Sequence, residues 1–457
     1  MIPISDFQRR SLTGPVMKEQ EFDMFFAKGI RGIVKRYPAI KFNPEQLVAD
    51  DALADAVFEA GIDLLAEVGL YNRDTQRVIQ FTREEVVQIA KDAWAGPRQV
   101  SFGKGKDEAP VIYRTHEDTR PPTIWMGSAG MVSTEELYIP YMQSLIQEEL
   151  CQGCGGPAML ASYQGVENKA GTPGEVFCNL AEIKLTQEAA RRAGKPDIYI
   201  GQTSATSPGG LMAVCFPGAL ERYNTTIALH MMPEQKLDWS RLVLALCCEE
   251  RGLIPWTSAI SMQGALCRGP EDSAVTLVAN LLGQLGYAHG KIAVTGTATL
   301  QGSSSTQETF WAYSASTRAA ERHVGIPMGG HNQSEAGAST EMALFEKAAQ
   351  SVINVASGAG WLWYSGCRVG RGNNPTTGLE ARMVAETAHA VAGMKSAEAN
   401  ELLKKIYARY VGQLGSAPQG KSFGELYDVK KVQPLPEYFD VYKRAKDELG
   451  KLGVPYK

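Results

Sequence analysis

Apolar positions along this chain follow two different rhythms. Up to about residue 115 they recur at the i, i+3, i+4 spacing of amphipathic helices. The stretch "PEQLVADDALADAVFEAGIDLLAEVGLY" (44–71) keeps that spacing and ends near Gly69. The stretch "TREEVVQIAKDAWAG" (82–96) opens on Thr82 with Glu85 three positions on, the pattern of a capping box. From about residue 120 short apolar or β-branched runs alternate with longer helical segments. The runs are "TIWMG" (123–127), "AMLAS" (158–162), "IYIG" (198–201), "TIALH" (226–230), "IPWTSAIS" (254–261), "KIAVTG" (291–296), "GIPMGG" (325–330) and "WLWYSG" (361–366). Helix-like segments such as 134–150, 238–252, 272–286 and 340–358 lie between them.

The runs begin 28 to 40 residues apart, the length of a βαβ unit. Eight such units in a row predict a (β/α)8 TIM barrel. An open doubly wound sheet would carry a G-x-G-x-x-G turn after its first strand, and "GSAGMV" (127–132) does not supply one. The expected organisation is an N-terminal helical extension (1–115), the barrel (116–395) and C-terminal helices packing outside it (396–457).

Composition narrows the function classes. The chain has 457 residues, 44% of them apolar, and a formal charge of −4 without a Lys/Arg block. Nucleic acid and anionic membranes are therefore not expected partners. The start has no apolar h-region, and no run approaches the roughly 20 residues of a membrane span. Eight scattered cysteines read as reduced packing thiols. The expectation is a soluble cytoplasmic protein.

Reactive groups of a barrel sit where strands end and βα-loops begin. That rim offers Gly127, Ser128, Tyr163, Gln164, Gly201, Gln202, His230, Ser258, Ser261, Gln263, Thr297, Thr299 and Gln301. After the last two runs come His331, Asn332, Gln333, Glu335, then Tyr364, Cys367, Arg368 and Arg371. Apart from the two arginines the rim is polar but mostly uncharged, with Trp125, Tyr163, Trp256 and Tyr364 close by. Amides and aromatic faces suit a small cationic ligand. His331, in the polar cluster "HNQSE", is the sharpest candidate to orient substrate or move a proton. The pair "CQGC" (151–154) has no second C-x-x-C or H-x-x-H at zinc spacing, so no metal site is expected there.

Three stretches carry a specific resemblance: "TTGLEARMVAETAHAVAGM" (376–394), "AGIDLLAEVGLYNRDTQRVIQFTREEV" (60–86) and "SAPQGKSFGELYDVKKVQPLPEYFDVY" (416–442). They resemble the monomethylamine:corrinoid methyltransferases of methanogens, and the similarity covers nearly the whole chain. The resemblance implies a (β/α)8 barrel, a homo-oligomer, and a partner protein that carries the corrinoid (cobalamin-type) cofactor. No cofactor would be bound covalently to this chain.

Members of that family carry pyrrolysine, an imine-bearing residue that binds the amine, at the barrel mouth. Aligned on "AGKPDIYIG", the position is Gly201, with Gln202 beside it. The same alignment puts Ala228 and Ser258 where the family has two glutamates, and His331 and Gln333 at its Gln/Tyr pair. The resemblance thus implies a non-pyrrolysine homologue moving a methyl group from a small methylated amine, possibly quaternary, to cobalt(I). His331 and Gln333 are the expected catalytic residues. Gly201, Gln202, Ser258, Tyr364, Trp256 and Glu335 are the expected substrate contacts. Two other readings stay open: a catalytically silent homologue that binds a ligand or the corrinoid protein, and unrelated chemistry using His331 and Glu335 as an acid–base pair.

Overall fold

Eight parallel strands form the centre of the molecule. We number them β1 (Thr123–Met126), β2 (Gly153–Cys154), β3 (Tyr199–Ile200), β4 (Thr226–His230), β5 (Ile254–Gln263), β6 (Ile292–Thr299), β7 (Met328–Ser334) and β8 (Trp361–Cys367). The computed structural model describes residues 2–457 apart from 129, 202–206, 208, 211–219, 301 and 368–374. Neighbours run in the order β3-β2-β1-β8-β7-β6-β5-β4. The seam between β3 and β4 is closed by single bonds instead of a ladder. The Ile200 amide donates to the Asn224 carbonyl at 2.7 Å. The Thr225 hydroxyl donates to the Ile200 carbonyl at 2.7 Å, and the Tyr199 and Thr226 hydroxyls meet at 2.6 Å. The architecture is the (β/α)8 barrel that the periodicity predicts.

Alternation along the strands places Trp125, Tyr199, Ala228, Trp256, Val294 and Trp361 on the inner face, in one cluster with Trp363 packed against it. Trp125 stacks on Tyr199 with ring centroids 3.9 Å apart. Trp361 lies 4.5 Å from Trp125 and 5.0 Å from Trp256, and Trp363 meets Trp256 edge-on at 5.1 Å. An antiparallel hairpin, Gln99–Phe102 with Ala109–Ile112, closes the N-terminal end of the barrel. Its Val100, Phe102 and Val111 join the same cluster. Phe102 lies 5.3 Å from Tyr199 and 5.8 Å from Trp125.

So much indole demands missing side chains opposite. A β-carbon on Gly153 would stand 2.4 Å from the Trp125 ring, and one on Gly329 would stand 2.4 Å from the Trp361 ring. This explains the one strand that the hydrophobic pattern misplaces. The run at 158–162 is not β2: Met159–Leu160 pairs instead with Val132–Ser133 in a two-stranded side sheet. The barrel strand lies earlier, inside "CQGC", where glycines at inward positions remove the apolar signal. Strand β7 also starts three residues later than the run at 325–330 suggests and reaches Ser334.

The expected helices form. Thr82 accepts from the Glu85 amide at 3.2 Å and Glu85 accepts from the Thr82 amide at 3.0 Å, the capping box of Arg83–Trp94. Helix Asp51–Val68 ends at Gly69, whose φ of 75° favours glycine. Among the described residues no helix is long and apolar enough to cross a membrane.

Overpacking the stacked rings has a defined cost. Gly153→Ala is expected to destabilise the fold by about 1–3 kcal/mol. Gly32→Ala, on helix Glu19–Arg36 where nothing lies within 4 Å of the new methyl, is expected to stabilise by about 0.5–1 kcal/mol. Thermal unfolding of both variants beside the parent checks the contrast.

Candidate functional site

The segment Met328–Ser334 carries the two residues on which the sequence reading centres, His331 and Gln333. Its "MGG" has a steric reason on each side. Gly329 clears the Trp361 indole inside the barrel, and Gly330 clears the Asn354 amide outside, 2.5 Å from where a β-carbon would be. Alternation then turns His331 and Gln333 inward. The His331 ring lies 5.4 Å from the Trp363 ring.

The outward side of β7 is held by one helix, Glu341–Ala356. Lys347 donates to the Asn332 carbonyl at 2.7 Å and also to the Gly366 carbonyl. Gln350 donates to the Gln333 carbonyl at 2.5 Å, and Ser304 donates to the same carbonyl at 2.8 Å. Asn354 reaches the His331 carbonyl at 3.5 Å and the Asn332 side chain at 3.0 Å. Glu346 accepts the Glu335 and Ala336 amides at 2.8 and 2.9 Å. Burial lowers Lys347 to about 8 and raises Glu346 to about 7. These groups bind backbone, so their work is to fix the strand that presents His331 and Gln333.

His230 and Ser258 lie opposite each other in the β4/β5 register, and alternation turns both inward. The His230 ring lies 5.9 Å from Trp256. Four polar atoms here are buried and have no hydrogen-bond partner: His230 Nδ1, Ser258 Oγ, Trp361 Nε1 and Trp363 Nε1. Burial lowers His230 to about 4, with a smaller contribution from the Arg241 charge. Burial likewise lowers His331 to about 4, followed by the Lys347 charge and His230. Both residues are half-buried. Both imidazoles are therefore neutral at pH 7.

Across the interior from His331 the inner face carries glycines. Gly127, Gly155 and Gly201 follow Trp125, Gly153 and Tyr199 at the next inward step on three neighbouring strands. A β-carbon on Gly155 would stand 2.5 Å from the Trp363 ring. One on Gly201 would stand 3.1 Å from the Gly156 nitrogen, so glycine here also lets β3 close on the loop after β2. Gly201 donates its amide to the Cys154 carbonyl at 2.7 Å.

Other expected contacts are placed elsewhere. Tyr364 faces outward, fully buried, with the Lys347 ammonium 4.7 Å from its ring centre. Glu335 lies just past β7 and accepts the Gly415 amide at 2.7 Å. Among the described residues no hydrogen bond or ion pair joins it to His331. Trp256 sits below the mouth within the stacked rings. Gln202, Gln301, Arg368 and Arg371 fall outside the described residues. Cys151 and Cys154 are buried thiols, and burial pushes Cys154 up to about 12. Among the described residues no cluster of His, Cys, Asp and Glu could hold a metal ion.

Sequence reasoning passed over two groups. Trp363 forms the aromatic wall beside His331; the alternation in "WLWYSG" is the signal that could have found it. Glu234, just beyond β4, is buried with Oε1 unpartnered, and burial raises it to about 7. No local pattern announces that environment.

The neutral histidines have a stability consequence. An unfolded histidine titrates near 6.5, so between that value and about 4 the unfolded chain binds more protons than the folded one. The stability that uncharged His331 contributes is present above pH 6.5 and lost as pH falls toward 4. Glu182, Glu234 and Glu346, raised to about 8, 7 and 7, work in the opposite direction, so the comparison must be between variants. The stability gap between the parent and His331→Asn is expected to narrow by up to about 1.4 kcal/mol per pH unit over this window, read by unfolding at each pH.

Known proteins match this chain along its whole length. The family model described as "Monomethylamine methyltransferase MtmB" matches residues 2–454. Monomethylamine methyltransferase MtmB2 of Methanosarcina acetivorans and MtmB of Methanosarcina mazei are each 27% identical over 457 residues, covering 99% of this chain and 98% of theirs. The crystal structure of the Methanosarcina barkeri monomethylamine methyltransferase superimposes with a TM-score of 0.92 at 26% identity, covering 99% of this chain and 98% of that one. A crystal structure of its hydroxylamine complex gives the same values. The barrel built around His331 and Gln333 belongs to the monomethylamine methyltransferase family.

Proposed function

We propose that this protein moves a methyl group from a small methylated ammonium donor to cobalt(I) of a corrinoid carried by a partner protein, without pyrrolysine. Family membership supports the transferase class. The observation that carries the donor class is the inner face itself. Its described strand residues are aromatic, aliphatic, hydroxyl, amide or neutral imidazole. Such a surface holds a cation by aromatic faces and acceptor atoms, and the described strand residues that form it include no carboxylate.

When delivered by the partner, the corrinoid would supply a strong nucleophile for the methyl carbon. Stacked indoles fill the interior below His331, so a macrocycle fits only above the mouth, which suits delivery by a partner. The chain's own residues do the rest. Trp363 lies against the cation. The Gln333 amide and the neutral His331 imidazole orient it with one methyl facing the mouth. Gly201 leaves space where the family places its imine, and Gln202 completes that side. Ser258 and Trp256 support the wall from below, while Tyr364 and Glu335 brace β8 and the loop after β7. The carbon–nitrogen bond breaks with its electron pair remaining on nitrogen. A quaternary donor leaves as a neutral amine and needs no proton, whereas a primary amine is a poor leaving group without activation. Positioning and exclusion of water supply the rate. In this reading the protein is a cytoplasmic homo-oligomer.

The test follows loss of cobalt(I) absorbance with mono-, di- and trimethylamine and tetramethylammonium as donors. Turnover is expected with the quaternary donor, at a rate at least about 100-fold above the primary one, about 2.7 kcal/mol of barrier for the better leaving group. Trp363→Leu is expected to raise KM about tenfold, the worth of one desolvated cation–π contact. Tight binding of corrinoid protein with no demethylation of any donor would make the protein a silent homologue.

A further inference from the structure

The barrel wall has a gap beside His331. Strands β6 and β7 pair at Ala293 with Met328 and at Val294 with Gly329, and the ladder stops there although each strand runs five residues further. Side chains fill the opening: Gln350 and Ser304 bond to each other at 3.1 Å and both bond the Gln333 carbonyl. Between them remains a small space of about 10 Å³ for the centre of a water molecule. His331, Gly296, Thr297, Ser304, Gln350 and Asn354 are part of its lining. A water needs about that much room and two to four polar partners.

The lining supplies the partners. Thr297 Oγ1 and Gln350 Oε1 are both buried without a hydrogen-bond partner. One is a hydroxyl that can donate and the other an amide oxygen that can only accept. Leaving both bare would cost about 1–3 kcal/mol each. The third wall is His331. A β-carbon on Gly296 would stand 3.9 Å from both Nδ1 and Cβ of His331, so the imidazole lies alongside β6 at van der Waals distance.

We infer that one water molecule fills the gap between β6 and β7, bridging Thr297 Oγ1 and Gln350 Oε1 to the Nδ1 edge of His331, and makes Thr297 and Gln350 positioning residues. The neutral imidazole has one N–H and one bare nitrogen, and the hydrogen bond made at Nδ1 decides which of the two carries the proton, and so whether Nε2 donates or accepts. The water thereby sets what His331 presents to a donor at the mouth. Gln350 does this while holding the Gln333 carbonyl, so one side chain orients both residues. The inference rests on the donor-orienting role of His331 and Gln333 proposed above.

Thr297→Val removes the hydroxyl at nearly constant shape, and Thr297→Ser restores it. Ring-nitrogen NMR of histidine-labelled protein, with the His331 signal assigned by its loss in His331→Asn, reads the tautomer without any substrate. The parent and Thr297→Ser are expected to hold one tautomer, and Thr297→Val to shift the ratio roughly five- to tenfold, the equivalent of one hydrogen bond. With a turned-over donor, kcat/KM is expected to fall about tenfold in Thr297→Val and to recover in Thr297→Ser at unchanged unfolding temperature. A crystal structure is expected to show the water within hydrogen-bond reach of Thr297 and Gln350. A dry gap, or a tautomer ratio indifferent to Thr297→Val, overturns the bridge whatever the activity. A shifted tautomer in a protein that demethylates nothing leaves the bridge standing and removes the transferase reading.

Discussion

Stacking of large rings inside a narrow barrel is the constraint from which the other features of this molecule follow. Trp125, Tyr199, Trp256, Trp361 and Trp363 occupy space that a barrel ordinarily fills with branched aliphatics. Three of the rings are tolerated because a neighbouring position has no side chain. Gly153 makes way for Trp125, Gly329 for Trp361 and Gly155 for Trp363. The aromatic core and the glycines are one solution, and neither could change alone. The same trade shapes the mouth, where glycines follow β1, β2 and β3 at positions 127, 155 and 201 and β7 carries His331 and Gln333.

Fixing β7 is the second demand. Its ladder to β6 is short, so the carbonyls of residues 331–333 need partners from elsewhere. Helix Glu341–Ala356 provides them with Lys347, Gln350 and Asn354, spaced to fall on one face. Buried charge is used here on backbone and not on substrate. That explains how a strand bearing a neutral histidine and an amide can be rigid beside an uncharged interior.

Much of this was legible in the sequence, and the failures share a cause. The alternation of short apolar runs with helical segments gave the barrel, because most strands are buried on both faces and read as continuous apolar stretches. Strand β2 escaped because glycine occupies its inner positions and leaves no apolar trace. Polarity beyond an apolar run and the family resemblance singled out His331 and Gln333 as residues following a strand, and both prove to lie on the strand. Tyr364 and Trp363 show the limit of that reasoning. They are adjacent, the strand period sends one to the helices and the other to the interior, and an uncertain strand start hides which is which. The environment of Glu234 depends on contacts distant in sequence, which no local pattern encodes.

The hairpin Gln99–Phe102 with Ala109–Ile112 packs Val100, Phe102 and Val111 against the rings at the N-terminal end of the barrel. With that end filled, the described interior opens toward the end where the strands finish. Under the proposed function, a partner seated over that opening would trap whatever is already inside and bar whatever is not. The small donor would then have to enter before the partner docks, and the spent amine would leave only after the partner lifts.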